Sequence, residues 1–292
     1  MGGLQITEVE FTRFRAMLYR IAGINLTPAK RELVCGRLAD RIEKLGMTSF
    51  GEYYCLIGER PAELQRAVDL LTTNETYFFR EPKHFDFVRR EVLPRTRPKD
   101  MFRVWSAACS SGEEPYSLAM MLAEMRGATG WQVVGSDISM RVLDRAHLGL
   151  YPLERCQNIP PAYLRKYCLK GIDAMAGMLF VEPAIRHGLR FVQINLNAAL
   201  PALGQFDLIF LRNVLIYFDL DTRRKVVARL LAVLKPGGHF IIGHSETLND
   251  IGAGLEQVAP SIYRQPTRID KARGPRTPQS DIHQPTSRRV AA

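Results

Sequence analysis

The 292-residue chain has no run of about 18 uncharged apolar residues, so no segment reads as a membrane-spanning helix. Its start, Met1-Gly2-Gly3-Leu4, lacks the basic stretch and apolar core of a secretion signal. Ile6 stands where a myristoylated Gly2 would want Ser or Thr. Cysteines are few: Cys35, Cys55, Cys109, Cys156 and Cys168 are odd in number, widely spaced and without a CxxC pair. Free thiols in a reducing cytoplasm fit that pattern better than disulfides or zinc. The six histidines form no HxxxH or HExxH pattern, so no metal is expected. GxGxxG is missing as well, and no internal repeat is visible. A disulfide miniprotein, a collagen-like chain and a mainly disordered chain are excluded.

What is present is ordinary for a soluble globular protein: 46% hydrophobic and 24% charged residues, in a length that suits one large domain or two modest ones. The net charge is +10, and four of those charges fall after Gln265 in a Pro-, Gln- and Arg-rich tail (265–292) that reads as disordered. A basic body favours an acidic partner, whether nucleic acid, anionic lipid or an acidic protein surface.

Residues 1–71 read as a small all-helical unit. Phe11, Phe14, Leu18 and Ile21 recur at helical spacing up to Gly23. Thr27-Pro28 predicts the start of a helix running to Gly46. Ser49 and Glu52 form a capping-box pattern, and Pro61 starts a fourth helix. On the second helix Lys30, Arg37, Arg41 and Lys44 share one sector beside the apolar Val34, Leu38, Ile42 and Leu45. That stripe is either a solvated basic face or a docking face for an acidic helix.

From Met101 the texture becomes α/β. Strands are expected at Phe102–Trp105, Trp131–Gly135, Leu189–Val192, Phe206–Leu211 and His239–Gly243. Helices are expected at Pro115–Met125, Ser139–His147 and Leu220–Leu234. This alternation predicts a parallel, doubly wound sheet. Residues 172–188 interrupt it, and Met178–Val181 with Leu189–Phe191 are expected to form a small antiparallel insert.

Ligands of such a sheet bind at the carboxyl ends of its strands. After the first strand comes a loop of small residues and then Glu113-Glu114 at a helix start. Two glutamates there suit a cationic group better than a phosphate, or simply complement the helix dipole. Asp137 ends the second strand, placed to take ribose hydroxyls or to cap the next helix. Asn195-Leu196 and Arg212-Asn213 follow later strands, where an asparagine can meet a purine edge or cap a loop. Together these positions describe a nucleoside with a positive end, as in S-adenosylmethionine. Thr72–Arg80, just upstream, has a polar half and an aromatic half and reads as a domain linker with an aromatic plug.

Four blocks resemble the CheR-type chemotaxis methyltransferases: TTNETYFFR at 72–80, WSAACSSGEEPYS at 105–117, FDLIFLRNVLIYF at 206–218 and LKPGGHFIIGHSE at 234–246. The last is shared by many methyltransferases; the other three, in this order, are specific. The likeness covers roughly residues 8–264. It implies a class I methyltransferase-like sheet at 101–264, a helical receptor-docking domain at 1–71, a linker at 72–100 that reaches the cofactor, and a small β-subdomain near 172–188. It implies S-adenosylmethionine as methyl donor, S-adenosylhomocysteine as product and no metal. Asn74, Thr76 and Arg80 would line the pocket from the linker side. Glu114, with Glu113 as rival, would hold the methionine ammonium. Asp137 would take the ribose, and Asn195, Leu196, Arg212 and Asn213 would frame the adenine and pocket floor. Arg80 and Tyr217 would face the incoming carboxylate, while Tyr217 alone reads equally as a core aromatic beside Phe218. Lys30, Arg37, Arg41 and Lys44 would dock on the acidic helical bundle of a cytoplasmic chemoreceptor array. A receptor C-terminal peptide is gripped by the insert in some members. The enzyme would be a cytoplasmic monomer. Two other classes stay open: a nucleic-acid methyltransferase and a cofactor-binding module without catalysis.

Overall fold

Thr7 begins the first helix by accepting the Glu10 N–H, while the Glu10 carboxylate reaches back to the Thr7 N–H, a complete capping box. The structure is a computed structural model that describes residues 4–267. The helix α1 (Glu8–Ala22) ends at Gly23, whose φ of 71° is left-handed. Then come α2 (Arg31–Lys44), α3 (Phe50–Glu59) and α4 (Pro61–Leu71). Their apolar stripes meet in one core built on Phe11, Phe14, Leu18, Val34, Leu38, Phe50 and Tyr53.

Two local expectations change. Thr27 makes no side-chain cap, and Pro28–Lys30 form a tighter turn ahead of α2. Ser49 does cap α3 through the Glu52 N–H, but the Glu52 carboxylate bonds the N–H of Thr48, not that of Ser49.

Segment 72–100 carries the short α5 (Pro82–Phe87). It is more than a linker, because Phe78, Phe79, Phe85, Val88, Val92 and Leu93 enter the core on one face of the sheet. Beyond it run β1 (Phe102–Ala107), α6 (Glu113–Arg126), β2 (Trp131–Asp137), α7 (Met140–Leu148) and β3 (Leu150–Pro152). Next are α8 (Pro161–Tyr167), β4 (Cys168–Lys170), β5 (Met178–Val181), α9 (Pro183–Arg186) and β6 (Leu189–Gln193). The chain continues through β7 (Phe206–Leu211), α10 (Leu220–Ala232), β8 (Leu234–Ile242), β9 (Glu256–Ala259) and β10 (Ile262–Arg264).

The main sheet has the order β6-β2-β1-β7-β8-β10-β9. It is parallel from β6 to β8, and β10 and β9 add antiparallel strands at one edge. The chain winds outward from β1 in both directions, so the switch point lies at the carboxyl ends of β1 and β7, where a ligand crevice forms. The second face of the sheet is closed by Trp105, Phe206, Ile209, Val226, Leu230 and Phe240.

The small insert exists, but with other partners and limits. β5 pairs antiparallel with β3 and β4, whereas Leu189–Gln193 joins the main sheet parallel to β2. The insert therefore begins at Leu150, well before residue 172. Its outer strands have three residues each, too few for a periodic signal. Of the expected disordered tail at 265–292, everything past Thr267 lies outside the described residues.

Candidate active site

Small residues after β1 let the backbone bend sharply at the switch point. Gly112 caps α6 at φ 94°, and a Cβ there would lie 2.7 Å from the Ala146 Cβ. Ala108 and Ser110 in the same turn, Phe79 and Glu81 flanking Arg80, and Asn213 after β7 also have left-handed backbone. They are five of the seven non-glycine residues so placed among the described residues, and such concentration of strain is typical of functional sites.

These turns surround a cleft of about 350 Å³, within the range of small-molecule sites. Every expected cofactor or catalytic residue lines it: Asn74, Thr76, Arg80, Glu114, Asp137, Asn195, Leu196, Arg212, Asn213 and Tyr217. Their arrangement separates the two glutamates at the start of α6. Glu113 is fully buried, accepts from Ser111 and pairs with Arg155 at 2.7 Å outside the cleft. Burial pushes its carboxyl above the usual range. Glu114 faces the cleft, with one oxygen 2.6 Å from the Ser106 hydroxyl and the other 2.9 Å from Arg212.

Asp137 makes the backbone contacts of the capping reading and also lines the cleft. It accepts the N–H groups of Ser110 at 2.9 Å and Ser139 at 3.0 Å, so it holds the β1 turn and the start of α7 together. Burial raises its carboxyl, and these N–H bonds oppose the rise.

Three expectations need correction. Asn195 does not offer a free amide to a purine: Nδ2 donates to the Ile21 carbonyl and Oδ1 accepts from the Asn197 N–H. Arg212 lines the cleft, but its charge is already engaged. Its 2%-exposed guanidinium lies between Glu114 and Glu81, at 2.9 and 3.1 Å, and also donates to the Arg80 carbonyl. The basic stripe of α2 is not a free face either. Arg37 braces the end of α4 through the Leu71 and Thr72 carbonyls and the Thr73 hydroxyl. Arg41 makes a two-pronged pair with Glu63, which also accepts from the Tyr53 hydroxyl. Lys30 lines the cleft, and Lys44 stays exposed. The cause is the packing of α2 against α4, which turns both arginines inward.

Arg80 donates to the Glu75 carbonyl at 3.0 Å and lies over the Tyr77 ring. The half-buried Tyr217 keeps its hydroxyl without a hydrogen-bond partner among the described residues. Cys109 also lines the cleft, but burial, then Asp137 and Glu114, push its thiol well above the ordinary value. It stays protonated and is a poor nucleophile.

Several site residues escaped sequence reasoning. The segment after α1, including Ile24, Asn25, Leu26 and Lys30, forms one wall of the cleft. Asn25 N–H donates to the Tyr217 carbonyl at 2.8 Å, and Tyr19 bonds Asp219 at 2.6 Å. Glu246 anchors the Asn213 turn by accepting the N–H groups of Asn213, Leu215 and Gly243. Ser106 carried a usable signal, since a serine in the apolar half of β1, after Val104-Trp105, calls for a partner.

The CheR methyltransferase all-alpha domain model matches residues 9–72, and the CheR methyltransferase SAM binding domain model matches residues 74–263. The chain belongs to the CheR methyltransferase family. Chemotaxis protein methyltransferase 2 of Pseudomonas aeruginosa is 41% identical over 264 residues, 88% of this chain and 93% of that protein. The chemotaxis protein methyltransferase of Escherichia coli is 39% identical over 265 residues, 89% and 92% of the two chains. That of Borreliella burgdorferi is 36% identical over 276 residues, 90% and 96%. The architecture is that of a class I methyltransferase with an all-helical N-terminal domain, and the chain is an S-adenosylmethionine-dependent methyltransferase of chemotaxis. No helix among the described residues is long and apolar enough to cross a membrane.

The donor set fits the methyl donor. Two carboxylates (Glu114 and Asp137) and apolar side chains (Ile138, Ile194, Leu196 and Val214) line one cleft, a set whose chemistry suits an ammonium, ribose hydroxyls and a base.

Proposed function

We propose that this chain methylates glutamate side-chain carboxylates of methyl-accepting chemoreceptors, giving glutamate methyl esters and S-adenosylhomocysteine. The observation that carries this reading is the convergence of Glu114, Asp137, Arg80 and Tyr217 on one cleft. S-adenosylmethionine, when bound, supplies a methyl group on a positively charged sulfur. Glu114 and Asp137 hold the donor by its ammonium and ribose, with Asn74 and Thr76 beside them. Arg80 and Tyr217 orient the incoming carboxylate.

A glutamate with a pKa of about 4.3 is already ionised at neutral pH, so no general base is needed. Accordingly, the cleft relies on alignment, which contributes up to about 7–11 kcal/mol in well-oriented reactions. Arg80 already donates to a backbone carbonyl, so its hold on the substrate is shared. That matters because a tight pair with the ground-state carboxylate would slow attack. No metal takes part in this scheme.

The substrate is the acidic cytoplasmic bundle of a receptor, which suits a basic chain acting as a cytoplasmic monomer at receptor arrays. Of the α2 stripe, Lys30 and Lys44 remain available for docking. The β3-β5-β4 insert, with its open outer strand β4, is the place for a receptor C-terminal peptide.

The test is transfer of radiolabelled methyl to receptor-containing membranes, followed by mild alkali. Label on receptor-sized protein that leaves as methanol is expected. Label on nucleic acid, or cofactor binding without transfer to any receptor, would overturn the reading. Arg80→Ala should lose most turnover at saturating donor.

A further inference from the structure

Next to Arg80 in sequence, and outside the residues that line the cleft, begins a cluster of three side chains that the methyl-transfer scheme does not use. We infer that Glu81, His84 and His244 form a binding site for a divalent transition-metal ion of the zinc type. Glu81, in a left-handed turn, brings its carboxylate over α5, where Oε2 is 3.3 Å from His84 Nδ1. His244, just past β8, places Nε2 3.8 Å from the same oxygen. One ligand atom from each residue lies within 4.8 Å of the others. Zinc bonds of 2.0–2.1 Å in tetrahedral geometry put ligand atoms about 3.4 Å apart. Two of the three separations are therefore within half an ångström of what a shared ion requires. The third closes by rotation of His244, whose side chain is 50% exposed and marks the path of entry.

The second observation is an unmet demand. His84 is 1% exposed, and neither of its ring nitrogens has a hydrogen-bond partner among the described residues. Buried polar atoms are normally satisfied, and two unpartnered nitrogens on one buried ring call for a ligand. Two imidazoles and one carboxylate are the borderline donor set that zinc, cobalt(II) and nickel(II) accept.

Arg212 Nη2, 3.1 Å from Glu81 Oε2, is the obstacle. A carboxylate has two oxygens, so Glu81 can give one to the ion and keep the other on Arg212, as partners of metal-bound carboxylates commonly do. Glu114 on the other side of Arg212 leaves this cluster with one net negative charge when the histidines are neutral.

The test is titration of the chelator-treated full chain with Co²⁺ alone, followed by visible absorption. One equivalent with the intense bands of four- or five-coordinate cobalt is expected. His244→Ala should weaken it at least tenfold, with its metal-free melt confirming the fold, while Cys55→Ser should leave it unchanged. Absence of a saturable cobalt spectrum in the parent chain overturns the proposal. So does a His244→Ala titration that matches the parent, or a thiolate charge-transfer band lost in Cys55→Ser.

Discussion

Arg212 is the most consequential side chain that the sequence could not interpret, and replacing it tests the account of the site. Arg212→Met keeps an apolar stem beside Phe210 and Phe85 but removes the charge between Glu81 and Glu114. Both carboxylates are largely buried, at 13% and 11% side-chain exposure. Removing one partner of a buried pair costs about 3–5 kcal/mol because the other charge is left uncompensated. At about 2–4 °C per kcal/mol, the midpoint of thermal unfolding should fall by about 6–20 °C near neutral pH. The pH dependence supplies a second check. In the parent, burial raises the Glu81 carboxyl, but Arg212, with the two histidines, more than offsets this and holds it below the usual range. A depressed carboxyl stabilises the fold above its unfolded pKa, and that contribution disappears as pH falls. In Arg212→Met burial, the largest influence, is opposed only by the two histidines, so the carboxyl rises and acidification relieves it. The difference in melting temperature between parent and variant should therefore shrink from about pH 7 to about pH 5. Adding Glu81→Gln should recover at least half of the loss. Calorimetric melts across pH decide the matter. A loss under about 2 °C at neutral pH, or a gap that acid does not change, would refute the clamp.

Glu114→Gln should weaken S-adenosylmethionine binding about 10- to 100-fold by titration calorimetry, since a hydrogen bond to a charged group is worth about 1.5–3 kcal/mol. Glu113→Gln should instead lower the melting temperature through Arg155 and leave affinity nearly unchanged; equal losses of affinity would return the ammonium assignment to doubt. His239 is pushed down to about 4 by burial, then by Arg264 and Arg95. The folded state resists its protonation, so stability should fall by about 1.4 kcal/mol per pH unit between pH 6.5 and 4, and His239→Gln should flatten that slope in urea titrations. Arg41→Ala should destabilise the helical domain by leaving the largely buried Glu63 carboxylate with only the Tyr53 hydroxyl as partner, whereas Lys44→Glu should spare the melt and weaken receptor binding in a pull-down.

The candidate residues at strand ends were legible because a parallel sheet exposes a ligand only there. Asp137, Glu114 and Arg212-Asn213 could be placed near one another before any coordinates. What each side chain does was not legible, because its partners are remote in sequence. Arg212 meets Glu114 98 positions away, and Asn195 meets the Ile21 carbonyl 174 positions away. The α2 stripe failed for the same reason: helical periodicity reports which residues share a sector, while Glu63, 22 positions beyond Arg41, decides whether that sector is free. The insert was mispaired because Met178–Val181 is apolar throughout and carries no alternation that would select a partner. Its true partners, Leu150–Pro152 and Cys168–Lys170, have no pattern of their own.

The same remoteness governs the division into domains. A composition shift near Met101 separates an all-helical part from an α/β part, yet the cleft ignores that line. Segment 72–100 inserts Phe78, Phe79 and Phe85 into the core of the sheet while its polar half lines the site. The turn after α1 closes the opposite wall, pairing Ile24 with Phe218 and donating from Asn25 to the Tyr217 carbonyl. Tyr217, which faces the cleft from the α/β part, is thus held in place by the helical part. The core of the helical part is distinct from the two that flank the sheet, but the cleft is lined from both parts, so a truncation at residue 72 or 100 would remove a wall of the site.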